Sequence, residues 1–182
     1  MKKLILALGV ATIAASLHAA AVSWTLTGVT QPETTTTATG YTAYLFLSAS
    51  TVGTDVTVAK DDVVSAVLAG TFASDYATKA IYSGSTNNGA IVKMTDLVGD
   101  YKANDSISLF TVVFDASSVA SAENYAISGS DVSVAYTSAT GTKSAAFTNF
   151  SANNAWQAIP EPTSGLLMLV GGALLALKRK RA

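Results

Sequence analysis

The chain has 182 residues, with 11 lysines and arginines against 12 acids, one histidine and no cysteine. That inventory excludes disulfide staples and thiol nucleophiles. Residues 22–159 carry five lysines, no arginine and eleven acids, a net charge of −6, which repels phosphate backbones and sets nucleic acid aside as a partner.

At the start, Met1-Lys2-Lys3 forms a positive region, residues 4–15 an apolar one, and residues 16–21 a small-residue one. These are the three parts of a secretory signal, so residues 1–21 are expected to be a signal peptide. Ala19-Ala20-Ala21 offers an A-x-A site whose cut after Ala21 leaves Val22 first; a cut after Ala19 is the alternative. The apolar stretch, about 12 residues, is too short for a stable span. His18 lies inside the signal, so the mature chain is expected to hold no histidine. Ser-His-Asp and Cys-His catalysis and the common zinc sites are then out of reach. A carboxylate pair of the glycosidase kind remains available in principle, but no acids stand in a recognisable motif. We therefore expect no enzyme and no cofactor.

Residues 22–150 read as one exported domain, an antiparallel β-sandwich with one short helix. Val22, Trp24 and Leu26 alternate with Ser23, Thr25 and Thr27, as a half-buried strand does. Residues 31–40, with Pro32 and four consecutive threonines, read as a loop. Segments 41–47 and 107–114 are apolar on both faces, which predicts two central strands covered on both sides. Segments 80–82, 91–94 and 132–136 are further strands, and residues 83–89 (Ser-Gly-Ser-Thr-Asn-Asn-Gly) carry strong turn chemistry. Val63, Val64, Val67 and Leu68 fall at helical spacing behind Asp61 and Asp62, with Gly70 as the stop. Residues 117–123 suggest a second, shorter helical turn.

Three groups in this domain could carry chemistry. Asp96, Asp100 and Asp105, with Asn104, place hard oxygen ligands within ten residues and are candidates for a calcium site, although the spacing is not that of an EF-hand and an exposed turn has the same composition. Tyr82, Tyr101 and Tyr125 lie near turns and are the candidate rings for stacking on a glycan; Tyr41, Tyr44 and Tyr136 belong to apolar strands and read as core. The threonine run 34–37 reads as an extended polar loop.

Residues 151–159 read as a linker to a tail, 160–182, with Trp156 placed to dock the linker back on the domain. The two prolines hold Glu161 in extended backbone. A transmembrane helix is expected over 165–177, 13 residues without a charge, about 20 Å long where about 20 residues are usual. Lys178-Arg179-Lys180-Arg181 is a basic stop that stays cytoplasmic, so the Pro160 end faces outward. A marginal span suits a temporary anchor, and an uncut single-span anchor is the alternative.

Pro160-Glu161-Pro162, the apolar run and the basic stop, in that order, resemble the tail of the PEP-CTERM sorting proteins. The resemblance covers the tail and not the domain. It implies an exosortase, a membrane-embedded cysteine protease or transpeptidase, as partner, with cleavage near Pro160, Glu161 and Pro162. It also implies a Gram-negative-type bacterium that makes extracellular polysaccharide. The expected route is export, a transient inner-membrane anchor, then the cell surface or extracellular matrix. The expected role is a non-catalytic surface or matrix component; the alternative is a carbohydrate-binding module acting on the polysaccharide.

Overall fold

A computed structural model describes residues 20–52, 56–97, 101–136, 141–148, 150 and 155–160. The fold is mostly β, in two sheets with few helices. The strands are β1 (Ala20–Leu26), β2 (Thr42–Ser50), β3 (Tyr82–Ser85), β4 (Ile91–Asp96), β5 (Ser106–Phe114), β6 (Asn124–Ile127), β7 (Val132–Ala135), β8 (Gly141–Phe147) and β9 (Trp156–Ala158). Two α-helices, α1 (Lys60–Leu68) and α2 (Phe72–Asp75), come after β2. The expected turn at 117–123 is a short 3-10 helix, Val119–Ser121.

One sheet has the order β4-β1-β8 and the other β3-β2-β5-β6-β9, with β7 also paired to β5. Their facing sides enclose Val22, Trp24 and Leu26 of β1, Leu45 and Leu47 of β2, Leu109 and Val113 of β5, and Phe147 of β8. The alternation read in β1 is thus a buried face against the second sheet. Strands β2 and β5 form the antiparallel centre of the larger sheet, and their other face packs under the helices. There Phe46, Phe110, Val112 and Phe114 meet Val63, Val67 and Phe72. This second cluster is why both strands read as apolar on both sides.

Three expectations need correction. The sandwich is not wholly antiparallel: β1 and β8 run parallel, from Ala20 opposite Gly141 to Leu26 opposite Phe147. The two paired strands lie about 120 residues apart along the chain, so no local pattern could set their direction. Nor is there one helix, since α2 adds a turn that seats Phe72. The segment expected as strand 80–82 and turn 83–89 instead has its strand at Tyr82–Ser85, and the 86–90 turn leads from β3 at the edge of one sheet to β4 at the edge of the other.

Local chemistry explains the irregular points. Helix α1 ends in a Schellman motif: Gly70 at φ +73, its N–H donating to Val67 O (3.1 Å), and Thr71 N–H donating to Ala66 O (2.9 Å). Strand β2 shifts register between Leu47 and Ala49, so the alternation of its faces changes there. Strand β5 changes partner from β7 to β6 at Thr111. The gap is closed by Ser128, whose N–H donates to Thr111 O (3.0 Å) and whose hydroxyl accepts from Thr111 N–H (3.2 Å).

Lys60 ties α1 to the β6–β7 loop. Its ammonium donates to Ser128 O (2.9 Å) and Gly129 O (3.3 Å) and pairs with Asp131 at 2.9 Å. Burial would raise the Asp131 carboxyl; the facing Ser48 hydroxyl and Lys60 ammonium outweigh it and hold the group below the usual carboxylate range. Ser48 Oγ makes no well-formed hydrogen bond, so the ion pair is the firmer contact. A carboxyl depressed in the folded state stabilises the fold above its unfolded pKa, and that contribution is lost as pH falls through the folded value. Stability is therefore expected to drop below about pH 4. Lys60→Met should cost about 1–2 kcal/mol at neutral pH and flatten that acid limb. Urea titrations of both proteins from pH 7 to pH 3 check this; parallel curves would refute the linkage.

Candidate functional site

The C-terminal segment leaves the domain through a built exit. Strand β9 pairs antiparallel with β6, Asn124 opposite Ala158 and Ala126 opposite Trp156. Trp156 Nε1–H donates to Thr30 O (3.1 Å), and the ring meets Tyr41 edge-on at 5.7 Å. The Tyr125 hydroxyl donates to Gln157 Oε1 at 2.5 Å. Ile159 N–H donates to Glu123 O (2.8 Å), and its side chain packs on the cluster beneath the helices. The Trp156–Ala158 part of the expected linker is thus a strand of the sheet, with Trp156 docked as its position suggested. Pro160 is exposed, one residue beyond the last sheet-like hydrogen bond.

At this exit lies an apolar groove of about 500 Å3 between the helices and the 119–123 turn. Its lining includes Val67 and Phe72 from the helices, Phe114 from β5, Val119 and Ala122 from the turn, and Ile159 and Pro160 from the exit; Val67, Phe72 and Phe114 are almost wholly buried. Asp115 holds the end of the 119–123 turn in place. Its Oδ1 accepts from the N–H groups of Glu123 and Asn124 (both 2.9 Å), and its Oδ2 accepts from Asn124 Nδ2 at 2.8 Å. Nothing in the sequence pattern announced this groove, because its walls come from three separated segments.

The other expected site residues fare differently. Tyr101 and Tyr125 are buried, 1% and 0% exposed, so neither ring can stack on a sugar from solvent. Tyr101 packs on Tyr136 at 5.3 Å, its hydroxyl 3.4 Å from Ser50 Oγ. Tyr82 is half-buried and meets Trp24 edge-on at 5.5 Å. Tyr101 belongs to the core between the sheets and Tyr125 to the cluster beneath the helices, and nearness to a turn in sequence does not put a ring outside. All fifteen aromatic side chains lie among the described residues, and each is buried or half-buried.

Of the calcium candidates, Asp105 accepts the Lys102 N–H at 2.5 Å within its own turn, where Asn104 stands at φ +76. Asp96 ends β4 at the sheet edge, and Asp100 lies outside the described residues. Among the described residues no three acidic side chains converge as a metal site would need. Threonines 34–37 are exposed, and Thr37 Oγ1 donates to Asn88 Oδ1 at 3.0 Å, so this loop is clamped to the 86–90 turn.

Ala19, Glu161, Pro162, the run 165–177 and Lys178, Arg179, Lys180 and Arg181 lie outside the described residues. No helix among the described residues is long and apolar enough to cross a membrane. Comparison with protein-family models, with curated proteins and with solved structures gives no match for this chain.

Proposed function

We propose that this chain is a non-catalytic exported protein of the cell surface or extracellular matrix, a β-sandwich carried by a signal peptide and sorted through its C-terminal tail by an exosortase-type enzyme. The observation that carries the reading is the exit: the fold ties down the chain to Ile159 and leaves Pro160 exposed, so Pro160-Glu161-Pro162 begins where the last sheet-like hydrogen bond ends. An enzyme that takes an extended substrate can grip the motif without unfolding the domain. The ordered tail and the signal at the other end add the direction of travel. The burial of Tyr101 and Tyr125, two of the three rings expected to stack on a glycan, favours a structural role.

The start of β1 favours one of the two signal cuts. Ala20 is 1% exposed, sits opposite Gly141, and its carbonyl accepts the Leu97 N–H at 2.8 Å. A cut after Ala19 keeps that strand whole, whereas a cut after Ala21 removes its first two residues. Mass spectrometry of the terminal peptides of the cell-derived protein tests both ends. The expected chain begins at Ala20 and ends within 160–162, free or joined to another molecule. A chain still ending at Ala182 would overturn the sorting reading in favour of a permanent anchor, and one beginning at Val22 would overturn the choice of signal cut.

A further inference from the structure

We propose that the free edge of β4 is a self-association site for a second copy of this chain, held closed by the charge of Lys93.

The edge is open. β4 is the end strand of its sheet, and among the described residues β1 is its one strand partner. Leu97 N–H donates to Ala20 O (2.8 Å), which fixes the phase of the ladder: Ile91, Lys93 and Thr95 turn their backbone groups toward β1. Val92, Met94 and Asp96 therefore turn theirs outward, with no described strand to receive them. The same three residues stand opposite Thr25, Ser23 and Ala21, so their side chains lie on the outer face of the sheet, away from Val22 and Trp24. There Val92 is 67% and Met94 63% exposed. A six-residue strand with free backbone groups and two bared apolar side chains is a template for another strand.

The register names the second copy as the occupant. Antiparallel pairing of β4 with itself must match outward groups to outward groups, and two such registers overlap five of the six residues, one centred on Lys93 and one on Met94. Centred on Met94, the strands set Val92 opposite Asp96 of the second copy. Centred on Lys93, they set Val92 opposite Met94 on both sides of the axis, so each bared apolar side chain gains an apolar partner. That register also sets Lys93 opposite Lys93 as a non-hydrogen-bonded pair, with Cα atoms about 4.5 Å apart. Lys93 stands opposite Trp24 in the inward row, so both ammoniums would crowd the mouth of the gap between the sheets and lose water. Among the described residues Lys93 has no ion pair or hydrogen bond to offset that cost. The register that covers the most apolar surface is the one the charge forbids.

The other end strands fit the same logic. β8, seven residues long at the far edge of this sheet, places Lys143 in the inward row, opposite Val22. β3 and β9, which end the larger sheet, have four and three residues and carry no charge. Short edges offer too few hydrogen bonds to need one.

The chain has no cysteine, so one engineered disulfide reads both the contact and its register. Full-length chains carrying Val92→Cys are mixed in mild detergent with chains carrying Met94→Cys, oxidised, and sorted by mass spectrometry. With Lys93→Thr in both, residue 92 should link to residue 94 of the second copy at least about tenfold faster than with native Lys93. Lys93→Arg should stay as slow as the native pair. So should Lys79→Thr, which removes the same charge from an exposed site elsewhere. Lys93→Glu in one chain against native Lys93 in the other should restore fast linking in the mixed pair alone. Equal rates for Lys93→Thr and native Lys93, or a comparable gain from Lys79→Thr, would overturn the proposal. Links from 94 to 94 that outrun those from 92 to 94 in the Lys93→Thr pair would overturn it as well, because that register never opposes the two lysines.

Discussion

Phe46→Ala is expected to destabilise the domain by about 3–5 kcal/mol, the largest single effect we foresee. Phe46 is fully buried on the helix-facing side of β2. Its ring stacks on Phe110 at 5.3 Å and meets Phe72 edge-on at 6.0 Å, so truncation removes transfer free energy, leaves a cavity and strips ring contacts from both neighbours. The hole cannot close easily, because β2 and β5 are fixed by their ladder and by the opposite core. Phe46→Leu should cost much less, about 1–2 kcal/mol, since it keeps most of the volume. Urea unfolding monitored by tyrosine and tryptophan fluorescence reads both. A cost below about 1 kcal/mol for the alanine variant would mean that the helices do not close over the sheet as described.

Gly89→Ala should cost about 2–4 kcal/mol, through backbone alone. Gly89 stands at φ +71, where an L side chain loses about 1–2 kcal/mol. A Cβ there would also lie 2.7 Å from Val29 O, a backbone atom held in place because Val29 N–H donates to Gly89 O (3.1 Å) and Ala38 N–H donates to Val29 O (3.0 Å). Gly70→Ala is the matched control. Its φ is +73, but an added Cβ meets nothing within 4 Å, so only the conformational cost of about 1–2 kcal/mol is expected. The difference between the two alanine variants, read from thermal melts and urea curves, isolates the contact with Val29 O. Equal costs would show that the 86–90 turn can move away from the 31–40 loop.

Much of the fold could be read along the chain where the pattern was strong. The period-two run of β1, the doubly apolar runs that became β2 and β5, and the helix before Gly70 each reflect a burial requirement confined to a few neighbouring residues. Strands β6, β8 and β9 left no such mark. β8 reads Gly-Thr-Lys-Ser-Ala-Ala-Phe, with only Ala145 and Phe147 buried, and β9 is three residues long inside a stretch that reads as a linker. Their membership in a sheet is conferred by partners far away in sequence. The tyrosines teach the same lesson: Tyr101 and Tyr125 lie next to turn-like residues, yet their rings point into the interior, and exposure is a property of what packs around a residue.

Composition and short-range spacing were enough to specify the class of the domain, its acidic charge, the absence of thiols and the ordered features at both ends, because each is a property of the whole inventory or of about twenty neighbouring residues. That β1 and β8 run parallel, that Tyr101 and Tyr125 are buried, and that Pro160 lines an apolar groove emerged only in three dimensions. Direction, enclosure and concavity arise when segments distant along the chain meet, and no local pattern encodes which distant segment will supply the other wall.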